Sequence, residues 1–240
     1  MTILLLPQKK FFSMIASLSE IPLMDQRSFE WFAARLGIPT ASNFEKIITP
    51  AGAPSGQAQS YLCRLLCERI FDRRFDDQVD TKWMRHGREC EDEAAREFEA
   101  VSNERVEPVG FVLSECGRYG CSPDRLIVGK NAALEIKCPS PWKHVEHMIY
   151  GPGKDYKPQV QGQMFVGGYK MIYFFSYFPG MPPVLLQTER DEGFIEKLRI
   201  ALKVFCDHLD KKTKELMARQ INYDVALATI SMLMPEREDL

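Results

Sequence analysis

Apolar positions recur along the chain with two periods, and the switches between them mark its elements. Helical spacing of Phe29, Trp31, Phe32 and Leu36, with Asp25 before and Gly37 after, predicts a helix over 26–36. Ser42 and Glu45 are spaced as a capping box and predict a helix start at 42. A Pro/Gly loop over 51–56 leads to a helix over 57–73, whose apolar face is Tyr61, Leu62, Leu65, Leu66 and Ile70; Cys63 and Cys67 read as core or semi-core. A further helix over 82–101 directs Met84, Ala94, Ala95, Phe98 and Val101 inward, with Glu91 on the same stripe. A strand over 108–114 follows. Ser140-Pro141 opens a helix that Gly151-Pro152-Gly153 ends, and His144 and His147 on it read as surface residues. The helix over 155–167 sets Tyr156, Gln159 and Gln163 on one arc. An aromatic strand over 171–178, its neighbour over 184–188 and an amphipathic helix after Asp191 complete the pattern.

Between the strand at 108–114 and the helix at 141, short β-prone runs at 126–128 and 133–136 flank Gly129-Lys130-Asn131, which predicts an antiparallel hairpin. Side chains alternate in a strand, so Glu135 and Lys137 share one face while Leu134 and Ile136 take the other. Asp124, across the hairpin, brings a second carboxylate close to Glu135. Two neighbouring carboxylates repel unless a proton or cation lies between them. A hard divalent cation such as Mg²⁺ takes one or two carboxylates and leaves its other positions to water and phosphate, which Lys137 would face. The competing reading is an exposed hairpin with a same-face ion pair worth under about 1 kcal/mol. Glu91, a carboxylate on the buried stripe of its helix, needs a partner there and is a candidate further acid for the metal. Arg35, seven residues before Ser42, could join it around one phosphate at a helix start. On sequence alone a surface Arg35 and a plain cap at Ser42 are the favoured reading.

Composition fits a soluble globular chain: 240 residues, 45% hydrophobic and 27% charged. It predicts one α/β domain over 25–220, an N-terminal leader over 1–24 and a partly helical tail over 221–240. Seven cysteines without a Cys-x-x-Cys pair argue against a disulfide framework and a four-cysteine zinc site, so the thiols are expected reduced and mostly buried, in a cytoplasmic protein without membrane attachment. The net charge of −2 is weak for a DNA-binding protein, so basic groups must be segregated from the acids.

Pro123-Asp124, ten further residues and then Glu135-Ile136-Lys137 resemble the PD-(D/E)XK nuclease superfamily. Three further blocks add to this. They are Trp31 to Ser42, with Arg35-Leu36-Gly37 and Thr40-Ala41-Ser42 in it, Gly87 to Asp92 with Glu91, and Tyr156-Lys157-Pro158-Gln159-Val160-Gln161. Together, and in order, they resemble the phage lambda-type alkaline exonuclease (viral recombinase) family; the departures are Pro158 beside Gln159 and a longer N-terminal leader.

The resemblance implies a restriction-endonuclease-like α/β core, a mixed central β-sheet flanked by helices. It implies Asp124, Glu135, Glu91 and the Ile136 carbonyl as ligands of two Mg²⁺ ions, for which Mn²⁺ can substitute. Lys137 would orient or activate water, with Tyr156 and Gln159 completing the catalytic set. Arg35, Ser42 and Ser122 match the positions that hold a terminal 5′ phosphate. The implied activity trims the 5′-ended strand of linear double-stranded DNA to a 3′ overhang, by a homotrimer ring working with a single-strand annealing protein. Two alternatives stand beside it: a restriction or junction-resolving endonuclease on the same core, and a DNA-binding module whose nuclease core has degenerated.

Overall fold

The computed structural model describes residues 26–75 and 81–233. The leader over 1–24 and the last seven residues of the tail lie outside them. In chain order the elements are α1 (Phe29–Ala34), a 3-10 helix (Ala41–Lys46), α2 (Ala58–Phe71), α3 (Lys82–Ser102), β1 (Val106–Pro108), β2 (Val112–Leu113), β3 (Gly120–Cys121), β4 (Arg125–Ile127), β5 (Ala132–Lys137), α4 (Pro141–Tyr150), α5 (Lys157–Gly167), β6 (Met171–Ser176), β7 (Val184–Glu189) and α6 (Glu192–Leu233).

The mixed α/β architecture is as expected. Five strands pair in the order β1-β4-β5-β6-β7. Only β5 and β6 run parallel; Lys137 lies opposite Ser176 and Glu135 opposite Phe174. A parallel pair needs a crossover, which α4 and α5 supply. Alternation along the two central strands builds two apolar layers. Leu134, Ile136, Tyr173 and Phe175 pack with Ala94, Ala95 and Phe98 of α3. Ala133, Ile172 and Phe174 pack with Val160 and Met164 of α5. A third cluster joins α2, the 3-10 helix and α6 through Phe44, Leu65, Leu198 and Leu202. Glu135 therefore occupies the face that α5 covers.

Several expectations change. The first helix is only Phe29–Ala34, capped by Ser28, whose Oγ accepts from Trp31 N at 3.1 Å, and Phe29 is 82% exposed. Ser42 is no cap: the segment is 3-10, Thr40 precedes it, and the Ser42 hydroxyl is engaged instead by Thr40 Oγ1 at 3.2 Å. The strand expected over 108–114 is two, because Pro108 ends β1 at the sheet edge, having no N–H to continue the ladder, and β2 pairs with β3. On α2 the stripe through Tyr61, Leu62, Leu65 and Leu66 faces inward, which turns Cys63 and Cys67 to solvent. Met84 and Val101, near the two ends of α3, are exposed because only its central stripe meets the sheet. Pro158 sits in the first turn of α5, where the missing N–H costs no helical bond.

The largest change is in α4. His144 and His147 are buried, at 0% and 1% exposure, while Trp142, Val145, Met148 and Ile149 face outward. Both imidazoles reach the buried Ser176 hydroxyl, at 2.8 and 2.9 Å, so hydrogen bonding to β6 decides the inner face. The tail expected from residue 221 continues α6 without a break to Leu233.

Candidate active site

Asp124, just ahead of β4, is fixed to β5 by two hydrogen bonds. Its amide donates to the Leu134 carbonyl at 3.0 Å, and its Oδ2 accepts from the Ile136 amide at 2.6 Å. The side chain is thereby aimed at the face that carries Glu135. Glu135 is 2% exposed, too deep for an unpaired carboxylate. Its Oε1 accepts from Lys137 Nζ at 2.5 Å and from Gln159 Nε2 at 2.6 Å, and its Oε2 from Gln163 Nε2 at 2.5 Å. Tyr156, immediately before α5, turns its ring to Lys137, whose Nζ lies 5.4 Å from the ring centre. The arc of Tyr156, Gln159 and Gln163 thus closes over the carboxylate. Gln163 was visible at this spacing, but the sequence reading assigned it no role.

Burial, and then the charge of Glu135, push the Asp124 carboxyl well above the usual carboxylate range, against the opposing pull of Lys137 and the Ile136 amide. Burial works against the Lys137 charge, yet Glu135 and Asp124 outweigh it and hold the ammonium above its usual value. The site therefore holds more carboxylate than its one lysine can balance.

Glu91 is near enough to add to the rise at Asp124. Its oxygens are engaged by Arg27 and, at 3.0 Å, by Arg125, whose guanidinium also donates to the Asp124 carbonyl at 2.7 Å. Neither arginine belongs to a motif that would have marked it beforehand. Among the described residues no three His, Cys, Asp or Glu side chains are gathered as a metal cage. The donor chemistry nevertheless fits a hard cation. Asp124 and Glu135 supply oxygens in a cation-poor setting, and the buried Gln163 Oε1 has no hydrogen-bond partner.

Arg35 lies beside this site. Its guanidinium donates to Ser122 Oγ at 3.0 Å and to Ser42 Oγ at 3.4 Å, so the three residues singled out for a phosphate meet in space. Trp31 was part of the first sequence block but had no assigned role. Its Nε1 donates to Ser122 Oγ at 3.0 Å, and its ring stacks under Arg35 at 4.0 Å. Burial lowers the Arg35 guanidinium to about 10, which leaves it charged at neutral pH. Ser42, Glu45, Lys143, Asp155, Tyr156 and Gln159 line a cavity of about 260 Å³, so that Ser42 of this cluster shares it with Gln159, the donor to Glu135, and with Tyr156, the ring beside Lys137. A larger open groove of about 690 Å³ at Arg118, Asp207 and Asp210 contains none of these residues.

The class that fold and site define is the PD-(D/E)XK superfamily: a mixed sheet whose central hairpin gathers Asp124, Glu135 and Lys137. Residues 30–170 match the YqaJ-like viral recombinase domain, and the chain belongs to that family, within the lambda-type alkaline exonuclease group that the four sequence blocks resemble. Among solved structures the chain is similar to an alkaline exonuclease (LHK-Exo) from Laribacter hongkongensis, at 29% identity and a TM-score of 0.74, over 82% of this chain and all of that one. The same protein in complex with dAMP matches equally. A phage-related exonuclease from Haemophilus somnus 129PT shares the fold at 16% identity and a TM-score of 0.62, over 75% of this chain and 96% of that one. No curated protein matches the chain.

Proposed function

We propose that the protein is a divalent-metal-dependent exonuclease that removes the 5′-ended strand of linear double-stranded DNA, leaving a 3′ overhang for recombination by annealing. The observation that carries the reading is the meeting of Arg35, Ser42 and Ser122, with Ser42 lining the same cavity as Gln159, which donates to Glu135. A guanidinium with two hydroxyls is suited to a terminal phosphate through charge-assisted hydrogen bonds. A site that recognises an end needs such an anchor, whereas internal cutting does not. The family, and the similarity to an alkaline exonuclease, support the exonuclease part of this reading.

Asp124 and Glu135 would hold the cations, Mg²⁺ or Mn²⁺, with Glu91 released from its arginines and the Ile136 carbonyl as further donors. Such ions, when bound, would supply polarisation of the phosphodiester and stabilise charge on the leaving 3′ oxygen. Lys137, held as an ammonium, orients water and faces the phosphate rather than abstracting a proton. Gln159 and Gln163 keep Glu135 from turning away. Tyr156 shields the Lys137 charge from solvent. Such a protein would act in the cytoplasm beside a single-strand annealing protein; among the described residues no helix is long and apolar enough to cross a membrane.

End-labelled linear duplex tests this reading. Progressive erosion from a 5′-phosphorylated end is expected with Mg²⁺, none with EDTA, and a slower rate on a 5′-hydroxyl end. Arg35→Ala should shrink that difference. Discrete internal cuts would point to the endonuclease, and binding without cleavage to the degenerate module.

A further inference from the structure

The two buried histidines of α4 lie directly behind this site and take no part in the chemistry so far. Ser176, opposite Lys137 in the β5–β6 register, is their shared partner. Donor rules fix the protons when both rings are neutral. His144 Nε2 lies 3.1 Å from the Pro182 carbonyl, which can only accept, so that nitrogen carries the hydrogen. His144 Nδ1 then accepts from the Ser176 hydroxyl, and the Ser176 oxygen accepts from His147 Nδ1–H. This leaves His147 Nε2 as a bare lone pair, and it is a buried nitrogen without a hydrogen-bond partner. A surface-like polar pair has thus become a fully internal, directional chain.

The chain ends on a catalytic side chain. The His147 ring meets Tyr156 nearly perpendicularly, with centres 5.8 Å apart, and meets Phe174 at 5.9 Å. Tyr156 in turn packs on Phe174 at 5.0 Å and faces the Lys137 ammonium. An edge-to-face contact fixes ring orientation, because only some approaches match the two ring quadrupoles. A His147 ring free to rotate would give Tyr156 no fixed surface. Tyr156 lies just ahead of α5, where no capping bond from its own side chain holds it.

We propose that His147, locked by Ser176 and His144, is a positioning residue that sets the Tyr156 ring and through it the Lys137 ammonium. This rests on the nuclease reading above. It predicts that removing the lock slows the cleavage step and leaves DNA affinity unchanged.

The test is a double-mutant cycle on duplex cleavage. His147→Phe keeps a ring against Tyr156 and deletes the bond to Ser176; Ser176→Ala deletes the lock and keeps both histidines. Each should lower kcat about tenfold with KM for the duplex within twofold. In a Tyr156→Leu background, either change should cost less than twofold more. Unchanged kcat in whichever of the two variants folds, or losses that multiply in full in the double variant, would overturn the proposal. Imidazole ¹⁵N spectra of the full chain give a readout independent of cleavage. They should show the Nδ1–H form of His147, with resonances that shift in Tyr156→Leu. If the parent does not cut DNA, the nuclease reading fails by itself, and an unshifted spectrum still rejects the coupling.

Discussion

Lys137 is the residue on which the chemistry is most exposed to a single change. Its ammonium offsets part of the charge of Asp124 and Glu135 and lies against the ring of Tyr156, which lines the cavity. Lys137→Ala should lower turnover by about 10²–10³-fold, the scale of losing one preorganised charge, with DNA binding nearly intact in a gel-shift assay. Retained cleavage would remove its assigned role. The shared face of Glu135 and Lys137 was legible because strand alternation puts i and i+2 together whatever the surroundings, and the hairpin brought Asp124 across to them. His144 and His147 were not, because amphipathic reasoning assumes that apolar residues face inward, and on α4 the apolar residues Trp142 and Ile149 face out. Their burial has a pH consequence. Burial first, then Lys143 and His144, with a smaller push from Lys137, lower the His147 pKa against the opposing Glu146. A folded value below the unfolded value of about 6.5 means the unfolded chain takes the proton first. The stability His147 contributes is therefore complete above that pH and lost as pH falls through the folded value. Melting temperature should drop between pH 7 and 5, and less steeply in His147→Phe; parallel slopes would deny the effect.

Among the elements, α5 carries Gln159 and Gln163 and must lie close against the 3-10 helix that carries Ser42. Gly162 allows it, since a Cβ there would stand 2.5 Å from the Phe44 ring, which is fully buried. In an exposed helix Gly→Ala would gain up to about 1 kcal/mol of propensity. Here overpacking against a trapped ring should reverse the sign, with a net loss of about 1–3 kcal/mol in denaturant unfolding. Because the two glutamines ride on the same helix, kcat should fall as well. A stabilised, fully active Gly162→Ala would show that the contact yields easily. Hydrophobic period foretold several elements, including the helices that became α2 and α3. It could not foretell the neighbours of β5: the parallel pairing with β6 depends on the α4–α5 crossover, and the break at Pro108 separates residues that read as one strand. Nor could spacing show that Ser42 would bond to Arg35 rather than cap a helix.

At the scale of the whole molecule, a net charge of −2 leaves little to hold DNA by charge alone, since each phosphate contact depends on local cations and weakens with salt. The arginines nearest the catalytic face are in part committed inward: Arg125 serves Glu91 and Asp92, and Arg35 serves its two serines. Topology can supply what charge does not. Identical chains joined head to tail through a heterologous contact form a ring when the rotation closes, and a ring threaded by duplex stays on its track even if each contact is weak. Exposed Ile200 and Val204, one turn apart on α6, are apolar surface of the kind such a contact would cover. We therefore propose a homotrimer. Light scattering should give about three times the 27.6 kDa chain mass. Unlabelled duplex added in excess after digestion has begun should barely slow it, and raising salt should depress initiation more than continued digestion, because threading depends on encounter and retention does not. A monomer stopped at once by the competitor would mean that the chain holds its substrate by contacts alone.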